Sequence, residues 1–321
     1  MLRFTASRGL QMLVSVWVAV TLIFVAVTQL PGDPVRALFG FRPPPPELYD
    51  QLARRFGLDR PLWEQYWMYL SNIATGDLGY SFPLNGYGSA RTGPAVTDVI
   101  AASLPVSAVL LIGSLLVQVV VGVGIGALGA LRGRRVMNAG IYALAILLVA
   151  TPVLVAAYVL RTTLGVGMRL FPLSGVHDGA TSYVLPIVAL SALSIGYIIL
   201  LTRTEVRETL ASPFLKAARG RGYTTARLLT VHAMRPSMIP VIAFIAANIG
   251  QLFVGLIIVE GVFNLPGLGG AVFEAIRSRD RSLLIGLVTL FILVTLVVNT
   301  IADLIIALID PRVRETTVAR G

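Results

Sequence analysis

Six stretches of this chain run without a charged residue, and short basic or polar segments separate them. They are Gly9–Gly32, Val99–Leu131, Val136–Leu160, Gly179–Thr202, Pro236–Val259 and Ser282–Ala302. Each reaches the roughly 20 residues that an α-helix needs to cross about 30 Å of hydrocarbon. A membrane β-barrel would show alternating segments of about ten residues instead. The pattern therefore predicts an all-α integral membrane protein with six transmembrane helices. Its parts are an N-terminal helix over 1–30, a loop with short helices over 31–98, a core over 99–309 and a tail over 310–321. Within the core the expected spans are about 101–131, 136–160, 183–202, 236–259 and 282–308, with a polar loop at 203–235. Arg3 and Arg8 precede the first run as they would in a signal peptide. That run is too long for an h-region, however, and "VTQLPGDP" offers no small-residue cleavage site, so it reads as a retained helix.

The segments between the runs carry their own patterns. "PGDP" ends the first helix, because proline removes a donor and restricts the residue before it. "RPPPP" reads as a short extended stretch. Two amphipathic helices follow, the first marked by Leu48, Leu52 and Phe56 and the second by Leu62, Tyr66, Tyr69 and Leu70. Trp63, Tyr66 and Trp67 suit either the membrane–water boundary or local packing. Gly122 and Gly126 stand at GxxxG spacing in the second run, a signal for close helix packing in lipid. Residues 164–183 form an outer loop, and "VFNLPGLGGAVFEAI" is a second excursion, apolar enough to dip back toward the membrane.

The segment "FLKAARGRGYTTARLLTVHAMRPSMIP", Phe214–Pro240, is helix-patterned and basic. Ser212 suits an N-cap with Pro213 at the first helical position. Phe214, Ala217, Ala218 and Arg221 share one face at i, i+3, i+4 and i+7. Gly222 fits the position just past the helix end, Thr224 or Thr225 can cap a second short helix, and Pro236 starts the next span. Two readings fit this pattern: a docking element for a cytoplasmic protein, or a basic anchor on anionic lipid.

Composition and charge narrow the choice. Of 321 residues, 56% are hydrophobic and 13% charged, about half the charged share of a soluble domain. The net charge of +10 is a topology signal. With the N-terminus in the cytoplasm, Arg132, Arg134, Arg135, Arg203, Arg207, the 216–235 cluster and the C-terminal arginines all fall inside, as the positive-inside rule requires. Basic residues split by lipid-spanning helices make no nucleic-acid surface. There is no cysteine, and the two histidines, His177 and His232, fall on opposite sides of the membrane, so no thiolate or paired-histidine metal site is expected within the chain. A P-loop is impossible, since the single lysine, Lys216, is followed by Ala217. Arg161, Glu260 and Asp303 sit at span edges and read as structural pairs rather than ion relays. No nucleophile stands beside a positioned base. What remains is a set of spans with no motor and a cytoplasmic helical insert able to receive force from a separate ATPase.

Here the chain resembles a known family along nearly its whole length. "PGDP", "GLDRPLWEQYWMYL", "GDLGYSF", "KAARGRGYTTARLLTVHAMRPSMIP", "VEGVFNLPGLG", "RD" at Arg279–Asp280 and "LIDPRVR" look like the binding-protein-dependent ABC importer permeases, in their oligopeptide/dipeptide/nickel branch. The resemblance implies a type I ABC importer permease fold in the bacterial inner membrane, with both termini cytoplasmic. It implies that 203–235 is the EAA loop, whose coupling helix docks on an ATPase subunit through Phe214, Lys216, Ala217, Ala218, Arg219, Gly222 and His232. Lys216 stands where more distant importers have glutamate, as this branch commonly has it. "RGRG" replaces a frequent "RAKG", and Gly220 loosens the helix by about 1 kcal/mol relative to alanine. Implied partners are a second homologous permease subunit, two ABC ATPase subunits or domains, an extracytoplasmic substrate-binding protein and membrane lipids. ATP and Mg are expected on the ATPase partners and no cofactor in this chain, which is then not itself an enzyme. The expected cargo is a dipeptide or oligopeptide, with nickel, glutathione or another small solute as the alternative. A lipid-bound structural or signalling protein and an intramembrane enzyme are the competing classes, separable by whether ATPase subunits co-purify.

Overall fold

The computed structural model describes residues 2–29, 33–37, 45–55, 57–81, 93–131, 135–177, 179–278 and 280–309. Arg42–Pro44 of the proline run, Arg132, Arg134, Arg279 and the 310–321 tail lie outside the described residues, as do the side chains of Arg3 and Arg8. The described residues are almost entirely helical, with one isolated antiparallel bridge between Tyr80 and Ala95. In chain order the helices are α1 (Leu2–Thr28), α2 (Pro34–Ala37), α3 (Pro46–Arg55), α4 (Leu62–Thr75), α5 (Val96–Val117), α6 (Gly124–Ala130), α7 (Arg135–Ala150), α8 (Val153–Leu160), α9 (Thr181–Ala211), α10 (Pro213–Gly220), α11 (Thr225–Arg227), α12 (Met234–Ala247), α13 (Ile249–Phe263), α14 (Leu268–Ser278) and α15 (Arg281–Ile309). Three π-helical turns, Gln118–Val123, Arg161–Gly167 and Leu228–Ala233, follow α5, α8 and α11.

Four helical stretches among the described residues are long and apolar enough to span a membrane: Gly9–Thr28, Val96–Ala130, Thr225–Ala247 and Arg281–Ile306. The number of spans rises to seven if three adjoining helix pairs each cross as one, so the expected six lies inside the range. Three expected spans need redrawing. The expected 183–202 span bends by 55° between Thr181–Ala192 and Ser194–Ala211. The run 136–160 is not one straight helix: Val136–Ala150 and Val153–Gly167 meet at 104°. Pro152 lacks an N–H and pushes Thr151 away from helical geometry, and Thr151 bonds its hydroxyl back to the Leu147 carbonyl at 2.7 Å. The run 236–259 starts too late and hides a break. Pro236 does not open a helix, because Thr225–Ala247 passes through it unbroken. The helix interrupts instead at Asn248, where φ −93° and ψ 2° separate α12 from α13. Pro236 and Pro240 are carried inside that helix, as Pro105 is inside α5 and Pro186 inside α9.

The chain forms two compact units. Among the described residues, the larger comprises 2–12, those of 108–265, and 295–309, with α9 as its central helix. Helix α9 packs against α6, α7, α8, α12, α13 and the first π turn. Glycines set the spacing. A Cβ on Gly126 would lie 2.7 Å from the Ile199 carbonyl oxygen, and one on Gly122 would lie 2.9 Å from Ile198, so the GxxxG pair does seat its helix on α9. From the other side Gly196 of α9 meets the α7 backbone at Ala145 and Val149. Arg161, at the end of α8, donates from Nε to the Leu173 carbonyl at 3.1 Å. Glu260 is buried within α13.

The smaller unit comprises 13–107 and 266–294. The two amphipathic helices expected there are α3 and α4, and Pro46 opens α3 where an extended stretch had been expected to continue. Ser81 donates to Asp280 at 2.6 Å, and Asp280 also accepts from the Leu283 N–H at 3.0 Å, capping α15. Asp33 caps α2 through the Val35 and Arg36 N–H groups and accepts from the Tyr49 hydroxyl at 2.8 Å. Partial burial opposes the Asp33 charge, yet the Tyr49 bond, the two N–H groups and the Arg36 cation together hold its carboxyl below the usual range. The same bond raises the Tyr49 phenol. A depressed carboxylate contributes stability that is present above its unfolded value of about 3.9 and is lost as pH falls through the folded value. The protection factors of the α2 and α3 amides should therefore hold from neutral pH to about 4 and fall below it. In Tyr49→Phe that fall should be smaller, because the folded carboxyl then lies closer to its unfolded value.

Candidate functional site

Residues 212–233 form a short helical hairpin at the base of the larger unit. Ser212, at φ −61° and ψ 148°, caps α10 by accepting from the Leu215 N–H at 3.5 Å, with Pro213 at the first helical position. The helix ends at Gly222, whose φ of +89° lies in the left-handed region that favours glycine. There the Gly222 N–H bonds the Arg219 carbonyl at 3.0 Å and the Tyr223 N–H bonds the Ala218 carbonyl at 3.4 Å, the paired closure of a Schellman motif. Of the two threonines, Thr224 is the cap: its hydroxyl accepts from the Arg227 N–H at 3.4 Å. From Thr225 the chain enters the π turn and continues into α12, so the second element is the foot of a span rather than a separate helix.

An apolar seam holds the hairpin together. Leu215, Leu228 and Ala233 are buried, with Leu210 and Ala218 packed against them. The Thr209 and Ser237 hydroxyls share a hydrogen bond of 3.0 Å between α9 and α12 just above. The hairpin is thus joined to both neighbouring helices, and a push on α10 is transmitted to α9 and α12 through packed side chains.

The expected residues divide between two faces. Phe214 is 69% exposed, and Lys216, Ala217 and Arg219 are exposed with it. Ala218 does not share that outer face: it turns toward the seam, because Leu215 marks the inward stripe and Ala218 lies three residues on. Gly222 shapes the turn. His232 is half-buried in the π turn and stands between two rings, with Phe214 at 6.3 Å and 79° and Tyr223 at 5.8 Å and 82°. The Arg227 guanidinium lies 5.0 Å from the Tyr223 ring centre, a cation–π geometry. His232 therefore braces the exposed aromatic at the start of α10 against the π turn. The outer surface combines one large ring, one small side chain and several cations.

Sequence pattern passed over Leu215 and Leu228, whose i, i+13 spacing crosses the turn, and Tyr223 and Arg227, whose role depends on the fold-back. It also passed over Gln118, a polar residue in a charge-free run. That side chain is buried at the start of a π turn and its Nε2 has no hydrogen-bond partner among the described residues. A rule based on charge does not register it.

Known sequences place this architecture. Residues 119–315 match the family described as binding-protein-dependent transport system inner membrane component, and residues 1–111 match the N-terminal part of such membrane components. The oligopeptide transport system permease protein OppB of Haemophilus influenzae is 31% identical over 315 residues, 98% of this chain and 100% of that protein. Its counterpart in Salmonella typhimurium is 31% identical over the same shares. The dipeptide transport system permease protein DppB of Lactococcus lactis is 28% identical over 314 residues, 98% of this chain and 100% of that protein. With the two matches together covering residues 1–111 and 119–315 and the helical hairpin in place, this chain is a multi-pass membrane protein of the binding-protein-dependent transport system inner membrane component family.

Proposed function

We propose that this chain is a transmembrane permease subunit of an ATP-driven importer for dipeptides or oligopeptides, moved from the cytoplasmic side through the 212–233 hairpin. The end-to-end similarity to oligopeptide and dipeptide permeases carries the cargo class. The hairpin's geometry supports the mechanism. An exposed aromatic beside an exposed alanine suits a groove on a protein partner, and the buried seam makes the hairpin a lever rather than a loose tether. ATP-driven closure of two ATPase subunits then displaces α10, and α9 and α12 move with it between two states of the pathway. ATP and its Mg²⁺ are held by those subunits, and hydrolysis is theirs. A second homologous permease subunit completes the pathway, and an extracytoplasmic binding protein delivers the cargo. The protein resides in the bacterial inner membrane with both termini in the cytoplasm.

The test is reconstitution with the companion permease, ATPase subunits and binding protein in proteoliposomes. ATP-dependent uptake of labelled di- and oligopeptides is expected, at least tenfold above uptake without ATP. Uptake of nickel or glutathione with no peptide uptake would replace the cargo assignment. Failure of any ATPase subunit to co-purify in mild detergent would remove the coupling assignment.

A further inference from the structure

Helix α4 lies within the segment expected to be an extracytoplasmic loop, yet its contacts are with membrane spans. The Tyr66 hydroxyl shares a 2.7 Å hydrogen bond with Thr21, and Tyr69 shares one of 2.8 Å with Thr289. Phe24 packs between the two tyrosines, at 5.4 Å from Tyr66 and 5.6 Å from Tyr69. Thr21 is seven residues before the last residue of α1, and Thr289 is eight residues after the first residue of α15. At 1.5 Å per residue these points lie about 10 and 12 Å inside the ends of their helices. Two contacts one turn apart on α4 thus reach nearly equal depths on two spans.

A neighbouring face of α4 carries Trp63 and Trp67, at 65 and 62% exposure, followed by exposed Ala74. Glu64 in the first turn is the helix's one charge. Glu64 lies at i, i+3 and i+7 with Trp67 and Ser71 and marks the polar edge of this face, whose Trp63, Trp67 and Ala74 are apolar. Tryptophan favours the membrane–water interface, and an amphipathic helix lying in that plane sinks its apolar face about 5–10 Å.

We infer that α4 is immersed in the outer leaflet and that its Trp63–Trp67 face binds phospholipid, anchoring this helix to the bilayer rather than to a protein. The occupant is lipid because Tyr66 and Tyr69, beside this face, hold α4 about 10–12 Å inside the ends of two apolar spans, a depth at which exposed side chains meet hydrocarbon.

The chain has no cysteine, so single-site labelling is clean. Trp63→Cys and Trp67→Cys, each spin-labelled, are measured in the full transporter in proteoliposomes, with cysteine-free partner subunits. Oxygen accessibility at least threefold above that of a water-soluble nickel chelate is expected. Greater accessibility to the chelate would mean the face meets water, and low accessibility to both would mean that a protein covers it; either result overturns the inference. As a readout that leaves α4 intact, Trp17→Phe leaves Trp63 and Trp67 as the chain's only indoles. Vesicles of brominated phospholipid should quench their fluorescence at least twofold, and quenching by aqueous acrylamide instead would overturn the assignment.

Discussion

Ala217→Arg is expected to reduce ATP-dependent uptake at least tenfold while leaving the amount of inserted protein unchanged. Ala217 is exposed on α10, one turn beyond Phe214, and contributes nothing to the seam of Leu215, Leu228 and Ala233. Arginine is nearly as good a helix former as alanine, so the hairpin should keep its shape. What changes is the outer surface. A long cation replaces a methyl group between Lys216 and Arg219, holding any docking partner away and adding like charge to a surface that already bears several cations. Uptake in inverted or reconstituted vesicles and co-purification of the ATPase subunits measure the two effects. Normal uptake in this variant would show that α10 meets no partner at this position. Phe214→Ala is a milder companion: it loses an exposed ring and the brace on His232, and should weaken ATPase association several-fold.

Gly196→Ala is expected to destabilise the larger unit by about 1–3 kcal/mol, and Gly196→Val to abolish stable accumulation. The added Cβ would lie 2.6 Å from the Ala145 carbonyl oxygen and 3.0 Å from the Val149 nitrogen, so relief requires moving the α7 backbone and not a side-chain tip. Because α9 is the helix on which α6, α7, α8, α12 and α13 converge, that shift reaches the whole bundle. Thermal unfolding in detergent and yield from membranes check the result. Gly140→Ala supplies the contrast, since nothing lies within 4 Å of a Cβ there. That change should be neutral or stabilising, by up to about 1 kcal/mol of helix propensity. If both glycines tolerate alanine equally, the close α7–α9 approach is not what the bundle depends on.

Much of this protein was legible in its sequence because membrane solvation acts on composition. A charged side chain and an unpaired backbone group are both costly in hydrocarbon, so spans appear as charge-free runs and must be helical. Caps acted just as locally: Ser212, Pro213 and Gly222 read correctly because each satisfies its own neighbours. The breaks were harder. Pro152 bends the third run, yet Pro105, Pro186, Pro236 and Pro240 are carried inside helices. Which proline breaks its helix depends on packing beyond the local sequence.

Faces were decided by tertiary structure alone. The sequence by itself determined that the chain is a helical membrane protein with a basic helical insert between spans, because transfer of each residue into lipid is a sum over residues. It did not determine that Ala218 turns inward, that Phe214 and Tyr223 close on His232, or that α4 rests against Thr21 and Thr289. Those are contacts between residues up to 220 positions apart. They arise from how helices seat on one another, a property of pairs of surfaces that no single stretch of sequence contains.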